Sequence, residues 1–237
     1  MEYRIRLIGL RFFLFFYVMD KLPLLAIILI IMMLSAFSLD RKPRTIVFFG
    51  DSITEAGIHP GGYIARMQDS LAGAAYTLEG AGVGGDKIYD LYLRLEMDVL
   101  AKKPQIVVVY VGVNDVWHKQ LFGTGTDPYK FIRFYGAIIE KLQKKGIKII
   151  LCTPACIGEK PDGMNPLDAE LDQYSDFIRT LAVDNQLILC DLRAFFKDYA
   201  AAHNPDLQPE GILTTDGVHL NTLGNQLVAE HLLALLP

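Results

Sequence analysis

The chain has little of what several enzyme classes require. Its three cysteines, Cys152, Cys156 and Cys190, form no C-x-x-C pair and have no histidine at zinc-like spacing, so a zinc ribbon or dithiol redox motif is excluded. Cys152 and Cys190 each end an apolar run and read as small buried hydrophobes. There is no G-x-S-x-G elbow, no H-E-x-x-H and no P-loop. Internal repeats, low-complexity tracts and interdomain linkers are also missing. Positive charge is not in excess: 23 basic residues face 27 acidic ones. Without residues 1–38 the balance is 19 to 25, formally −6. Such a surface gives no footprint for nucleic acid or anionic lipid and accepts a neutral substrate more easily than a polyanion.

Long apolar runs are scarce as well. A hydrophobic content of 51% and a mean hydropathy of +0.27 are high, but much of the excess lies in the first 38 residues. There, Phe12–Met19 and Leu24–Leu34 are interrupted by Asp20, Lys21, Leu22 and Pro23, and neither block alone spans a bilayer. Read from Met19, the chain shows a short charged start, an apolar core of signal-peptide length and a small-x-small site at Ala36-Phe37-Ser38. Residues 1–38 are therefore expected to be a signal peptide, the alternative being an uncleaved membrane anchor with Arg4, Arg6 and Arg11 on its cytoplasmic side. The protein is expected to be exported, periplasmic or secreted, or anchored through this segment.

Residues 39–237 are of a length for one domain. Apolar, β-branched runs predict strands over 45–50, 75–79, 105–111, 147–152 and 187–191. Helical spacing predicts helices over Gly62–Leu71, Lys87–Ala101, Pro128–Lys144, Leu167–Asn185, Leu192–Ala202 and Thr222–Leu236. The alternation predicts an α/β fold, a flavodoxin-like three-layer α/β/α sandwich on a five-stranded parallel sheet.

Three short segments supply groups for ester cleavage. Ser52, in Gly50-Asp51-Ser52, follows the first strand, at the sheet edge where ligands bind in such folds. A serine hydroxyl needs a base held in one tautomer by a third group, and His219 and Asp216 can provide both. An oxyanion needs donors, for which the Ser52 N–H, a glycine N–H after the second strand and the Asn114 amide are candidates. Each piece has a plainer reading: Ser52, Asn114 and Asp115 as helix caps, Asp216-Gly217 as a turn. His59, His118, His203 and His231 are poorer bases by context. Trp117 and His118 follow Asn114 directly and are candidates to line the substrate pocket, or to cover the core.

These segments resemble those of the SGNH or GDSL hydrolase family of esterases and lipases. The blocks are Phe49-Gly50-Asp51-Ser52-Ile53-Thr54, the run Gly80 to Asp86, Gly112-Val113-Asn114-Asp115 and Asp216-x-x-His219. The resemblance implies a serine esterase working through an acyl-enzyme on Ser52, with Asp216 and His219 completing the catalytic set and no metal or organic cofactor. It implies an oxyanion hole of Ser52, Gly85 and Asn114; Gly85 matches best, with Gly82 and Gly84 as alternatives. Isoleucine stands where the family name has leucine, and Gly80 where related chains often carry asparagine. The expected substrate is a small-molecule, glycan or lipid ester, with a short acyl chain on a carbohydrate favoured. Lysophospholipase or thioesterase activity, or a non-catalytic glycan- or lipid-binding role at the envelope, are the alternatives. The run Gly80-x-Gly82-x-x-Gly85 also matches a dinucleotide fingerprint, but no acid stands at the tip of the next strand, where a ribose would need one.

Overall fold

The computed structural model describes residues 43–161 and 163–236, together with Leu24, Ala26, Ile28, Leu29 and Met32. The chain divides into units Met1–Lys42 and Pro43–Pro237. In the first, the five described positions are helical and exposed, and the signal-peptide or anchor reading otherwise lies outside the described residues. Among the described residues no helix is long and apolar enough to cross a membrane.

The second unit runs β1 (Arg44–Gly50), α1 (Ser52–Gly57), α2 (Tyr63–Ser70), β2 (Tyr76–Gly82), α3 (Ile88–Asp98), β3 (Ile106–Tyr110), α4 (Val113–Phe122), α5 (Pro128–Lys144), β4 (Lys148–Cys152), α6 (Asp168–Asp184), β5 (Ile188–Cys190), α7 (Leu192–His203) and α8 (Thr222–Leu233). The strands pair in parallel in the order β2-β1-β3-β4-β5, the predicted flavodoxin-like arrangement. Strand order reverses between β1 and β3, so a crevice opens where their carboxyl ends diverge.

Period-two alternation splits each strand between two cores. Ile46, Phe48, Ile106, Val108 and Ile150 pack toward α2, α7 and α8. Val47, Phe49, Val107, Val109 and Leu151 pack toward α3, α5 and α6. All ten are buried, each such side chain contributing roughly 1.5–3 kcal/mol by leaving water. A charge in place of Val108 would face that core without a partner and break the layer. Helix α5 starts where the sequence dictates: Asp127 accepts the Lys130 N–H and Pro128 opens the first turn. Its Phe131, Tyr135, Ile138, Ile139 and Leu142 form one buried stripe.

Three boundaries differ from the sequence expectation. Strand β2 extends to Gly82, paired with Gly50, so two of the fingerprint glycines are strand residues and not a phosphate loop. Helix α1 is capped by Asp51, which accepts the Ile53 N–H, and not by Ser52. Helix α4 begins at Val113 behind Gly112, with no side-chain cap from Asn114 or Asp115. All three cysteines are free and buried.

Candidate active site

Because Asp51 takes the capping role, the Ser52 side chain is left to other partners. As the first residue of α1, Ser52 also has a backbone N–H with no intrahelical acceptor. The tight packing that aims this turn needs glycine at position 82: a Cβ there would lie 2.1 Å from the Glu55 nitrogen. Asp51 itself is 1% exposed, and burial, with the nearby Asp115 carboxyl adding to it, outweighs the Ile53 N–H and pushes its carboxyl up to about 7.

His219 arrives from the other end of the chain, 167 positions away, with Nε2 2.9 Å from Ser52 Oγ. Its Nδ1 lies 2.7 Å from Asp216 Oδ2. The spacing of three works because Asp216 Oδ1 accepts the backbone N–H groups of Val218 (3.0 Å) and His219 (2.8 Å), folding the segment back on itself. Thr214 and Leu220 close the loop with an antiparallel bridge. Burial pushes the Asp216 carboxyl up, but the His219 backbone, the imidazole and the Val218 N–H outweigh it and hold it below the ordinary carboxylate range. A carboxylate on Nδ1 fixes the tautomer whose Nε2 can accept the serine proton.

The third part forms at the tips of β2 and β3. Val83 to Asp86 make a tight turn closed by the Asp86 N–H on the Val83 carbonyl, with Gly85 at φ +82°, a conformation only glycine adopts freely. Buried Lys87 donates to the Gly85 carbonyl at 3.1 Å. Asn114, 3% exposed, gives one amide hydrogen to the Asp86 carbonyl at 3.1 Å and keeps its second for another acceptor. Of the three candidate glycines, Gly82 is enclosed in β2 under α1, which leaves Gly84 and Gly85 at the turn.

His118 lies beside this turn, its Cε1 3.7 Å from where a Gly85 Cβ would be. Burial, with Lys87 nearby, lowers its pKa. Trp117 is half-buried and packs on the α2/α7/α8 core, the covering role. The other histidines serve elsewhere: His203 stacks on Tyr199, His231 packs on Phe195 and His59 is exposed.

Sequence reasoning missed Arg94. Its guanidinium donates to the carbonyls of Gly50 (2.7 Å) and Ala81 (2.9 Å), pairs with Asp86 (2.6 Å) and Asp98 (2.8 Å), and covers the Phe49 ring. It thus ties the ends of β1 and β2 to the turn. Only its Asp98 partner at i+4 was readable from spacing. Among the described residues no group of three or more histidine, cysteine or carboxylate side chains is placed to hold a metal ion. A cleft of about 820 Å³ opens at the opposite end of the sheet, around Arg44, Lys103, Lys145 and Lys148. Neither Ser52 nor His219 lines it.

Comparison with known proteins agrees with this fold. A model of the GDSL-like lipase/acylhydrolase family matches residues 48–227. A solved acetyl xylan esterase, AlAXEase, is 54% identical, with a TM-score of 0.80, over 81% of this chain and 100% of that one. An acetylxylan esterase of Geobacillus stearothermophilus is 29% identical over 205 residues, 78% of this chain and 90% of its own length. An alpha/beta hydrolase enzyme from the metagenome of Lake Arreo, Spain, is 26% identical with a TM-score of 0.71, over 81% and 94% of the two chains.

Proposed function

The chain belongs to the GDSL-like lipase/acylhydrolase family, and from that premise we propose that it removes acetyl groups from acetylated carbohydrate, with acetylated xylan as the class of substrate, through an acyl-enzyme on Ser52. It is a carboxylic ester hydrolase. The observation that carries the mechanism is the 2.9 Å contact between Ser52 Oγ and His219 Nε2; the 54% identical acetyl xylan esterase supports the substrate class.

Ser52 Oγ attacks the acetyl carbon while its proton passes to His219 Nε2, and Asp216 holds the imidazolium that forms. The oxygen of the tetrahedral intermediate accepts hydrogen bonds from the Ser52 and Gly85 backbone N–H groups and the free Asn114 amide hydrogen. Collapse breaks the bond to the sugar oxygen, which takes the proton from His219 Nε2. Water, deprotonated by the same nitrogen, then attacks acetyl-Ser52, releasing acetate and restoring the serine. We extend the proposal to residues 1–38 as an export signal or membrane anchor, which would bring the enzyme to substrate outside the cytoplasm.

The test is hydrolysis of p-nitrophenyl esters from acetate to palmitate, and acetate release from acetylated xylan, by the protein and its Ser52→Ala variant. The expected result is a preference for acetate that disappears in the variant. Activity surviving at the wild-type level in Ser52→Ala would sink the mechanism, and a preference for palmitate would sink the substrate assignment.

A further inference from the structure

The loop that carries Asp216 and His219 belongs to no helix or named strand, yet its geometry has to be held to a fraction of an ångström. A carboxylate 53 to 55 positions earlier in the sequence grips it. Glu159, 4% exposed, accepts three consecutive backbone N–H groups: Ile212 on Oε2 at 2.9 Å, Leu213 and Thr214 on Oε1 at 2.5 and 3.1 Å. The residues around it continue the clamp. The Glu159 N–H donates to the Pro209 carbonyl, and the Gly158 N–H to the Gly217 carbonyl at 2.8 Å. Asn204 donates its amide to the Glu159 carbonyl at 2.8 Å. Thr214, held by Glu159 through its own N–H, accepts the Gly217 N–H on Oγ1 at 2.9 Å. Gly217 is the residue between Asp216 and Val218, so two short chains of hydrogen bonds lead from residues 158–159 to the acid and base.

We propose that Glu159 is a positioning residue of the hydrolytic site, whose carboxylate presets the 212–219 loop so that His219 faces Ser52. This rests on the reading of Ser52 and His219 as nucleophile and base. A carboxylate suits the place because it accepts on both oxygens. Glutamine has one acceptor oxygen, so its amide nitrogen would confront the Ile212 N–H donor to donor. A misplacement of about 1 Å in a reacting group can cost on the order of 100-fold in rate, whereas substrate contacts made elsewhere in the crevice would be untouched.

The experiment compares Glu159→Gln, Thr214→Val and Ser52→Ala with the wild-type chain in p-nitrophenyl acetate hydrolysis, with Glu210→Gln, an exposed acid of the same loop, as control. The expected result is a fall in kcat of about 10- to 100-fold with KM within about twofold for Glu159→Gln, and no change for Glu210→Gln. The low-field proton resonance of the His219–Asp216 hydrogen bond should broaden or vanish in Glu159→Gln, which loss of fold stability alone would not cause in a protein still folded at the assay temperature. Thr214→Val cuts the second link with a side chain of the same shape. It should reproduce the kcat loss even if Glu159→Gln fails to fold. Wild-type kcat in Thr214→Val, or in a folded Glu159→Gln with the resonance intact, overturns the inference while Ser52→Ala remains inactive. Full activity in Ser52→Ala would instead remove the mechanism on which it rests.

Discussion

Replacing Asp216 by asparagine should stop catalysis while leaving the fold nearly untouched, for a reason that lies in which oxygen does what. Oδ1 accepts two backbone N–H groups, from Val218 and His219, and Oδ2 accepts from the imidazole Nδ1 at 2.7 Å. Asparagine has one acceptor oxygen. Placed at the Oδ1 position it keeps both backbone bonds and turns its NH₂ toward Nδ1, which must then accept, so the ring proton moves to Nε2. A protonated Nε2 2.9 Å from Ser52 Oγ cannot take the serine proton. The opposite flip would put the NH₂ against two backbone donors and lose both of those hydrogen bonds to gain one, so the wrong tautomer wins. An aspartate-to-asparagine change at such a position lowers kcat by about 10⁴, or about 5.4 kcal/mol of barrier. Stopped-flow or steady-state hydrolysis of p-nitrophenyl acetate measures kcat, and thermal denaturation by circular dichroism measures the fold. A kcat within tenfold of wild type would refute the tautomer argument. A collapse of Tm would show instead that the loop depends on the charge of Asp216 and not on its acceptor count.

Asn114→Ala should lower kcat by about 10²–10³ with little change in KM, since the lost donor is used by the oxyanion and not by the substrate ground state; a rise in KM at constant kcat would argue against that role. Arg94→Met should cost about 2 kcal/mol in urea unfolding, below the range for a fully buried pair because the side chains of Arg94 and Asp86 stay 17% and 14% exposed. It should also reduce kcat by more than tenfold, and unchanged kinetics would show that the turn at Gly85 holds its shape without Arg94. Asp51 and Asp115, buried at 1% and 0% exposure, both have carboxyls pushed up to about 7, chiefly by burial. The folded chain therefore holds more protons than the unfolded one between the ordinary carboxylate value of 3.8 and about 7, and their contribution to stability declines as pH rises through that window, then levels off. Asp115→Asn should shrink the drop in Tm between pH 5 and pH 8; an identical drop in the variant would mean that other groups set the pH dependence.

The parts legible in the sequence are those whose physics is local. Val107, Val108 and Val109 announce a buried central strand by composition, and Pro128 behind Asp127 marks a helix start at the residue where it occurs. Ser52, Asn114, Asp216 and His219 were singled out by four short runs taken together, since each run alone also reads as a cap or a turn. The end of β2 was not. Glu79-Gly80-Ala81-Gly82 has weak strand propensity, and pairing with Val47-Phe48-Phe49-Gly50 overrides it. The capping role of Asp51 was hidden for a related reason: Asp-Ser offers two adjacent side chains for one helix start, and only the demand of His219 on the serine decides between them.

Arg94 and Glu159 lay furthest from view, because what makes them matter is their partners and not their own surroundings in sequence. Arg94 bonds to carbonyls at positions 50 and 81, and Glu159 to amides at 212, 213 and 214. A backbone group has the same donor and acceptor in every residue, so such contacts leave no mark in the residue types at the other end. The two side chains brace opposite halves of one site. Arg94, a cation, collects the carbonyls at the β1 and β2 tips beside the oxyanion turn, and Glu159, an anion, collects the N–H groups of the acid–base loop. A site split between two distant segments needs both halves fixed independently, and losing either brace should degrade kcat before it degrades binding.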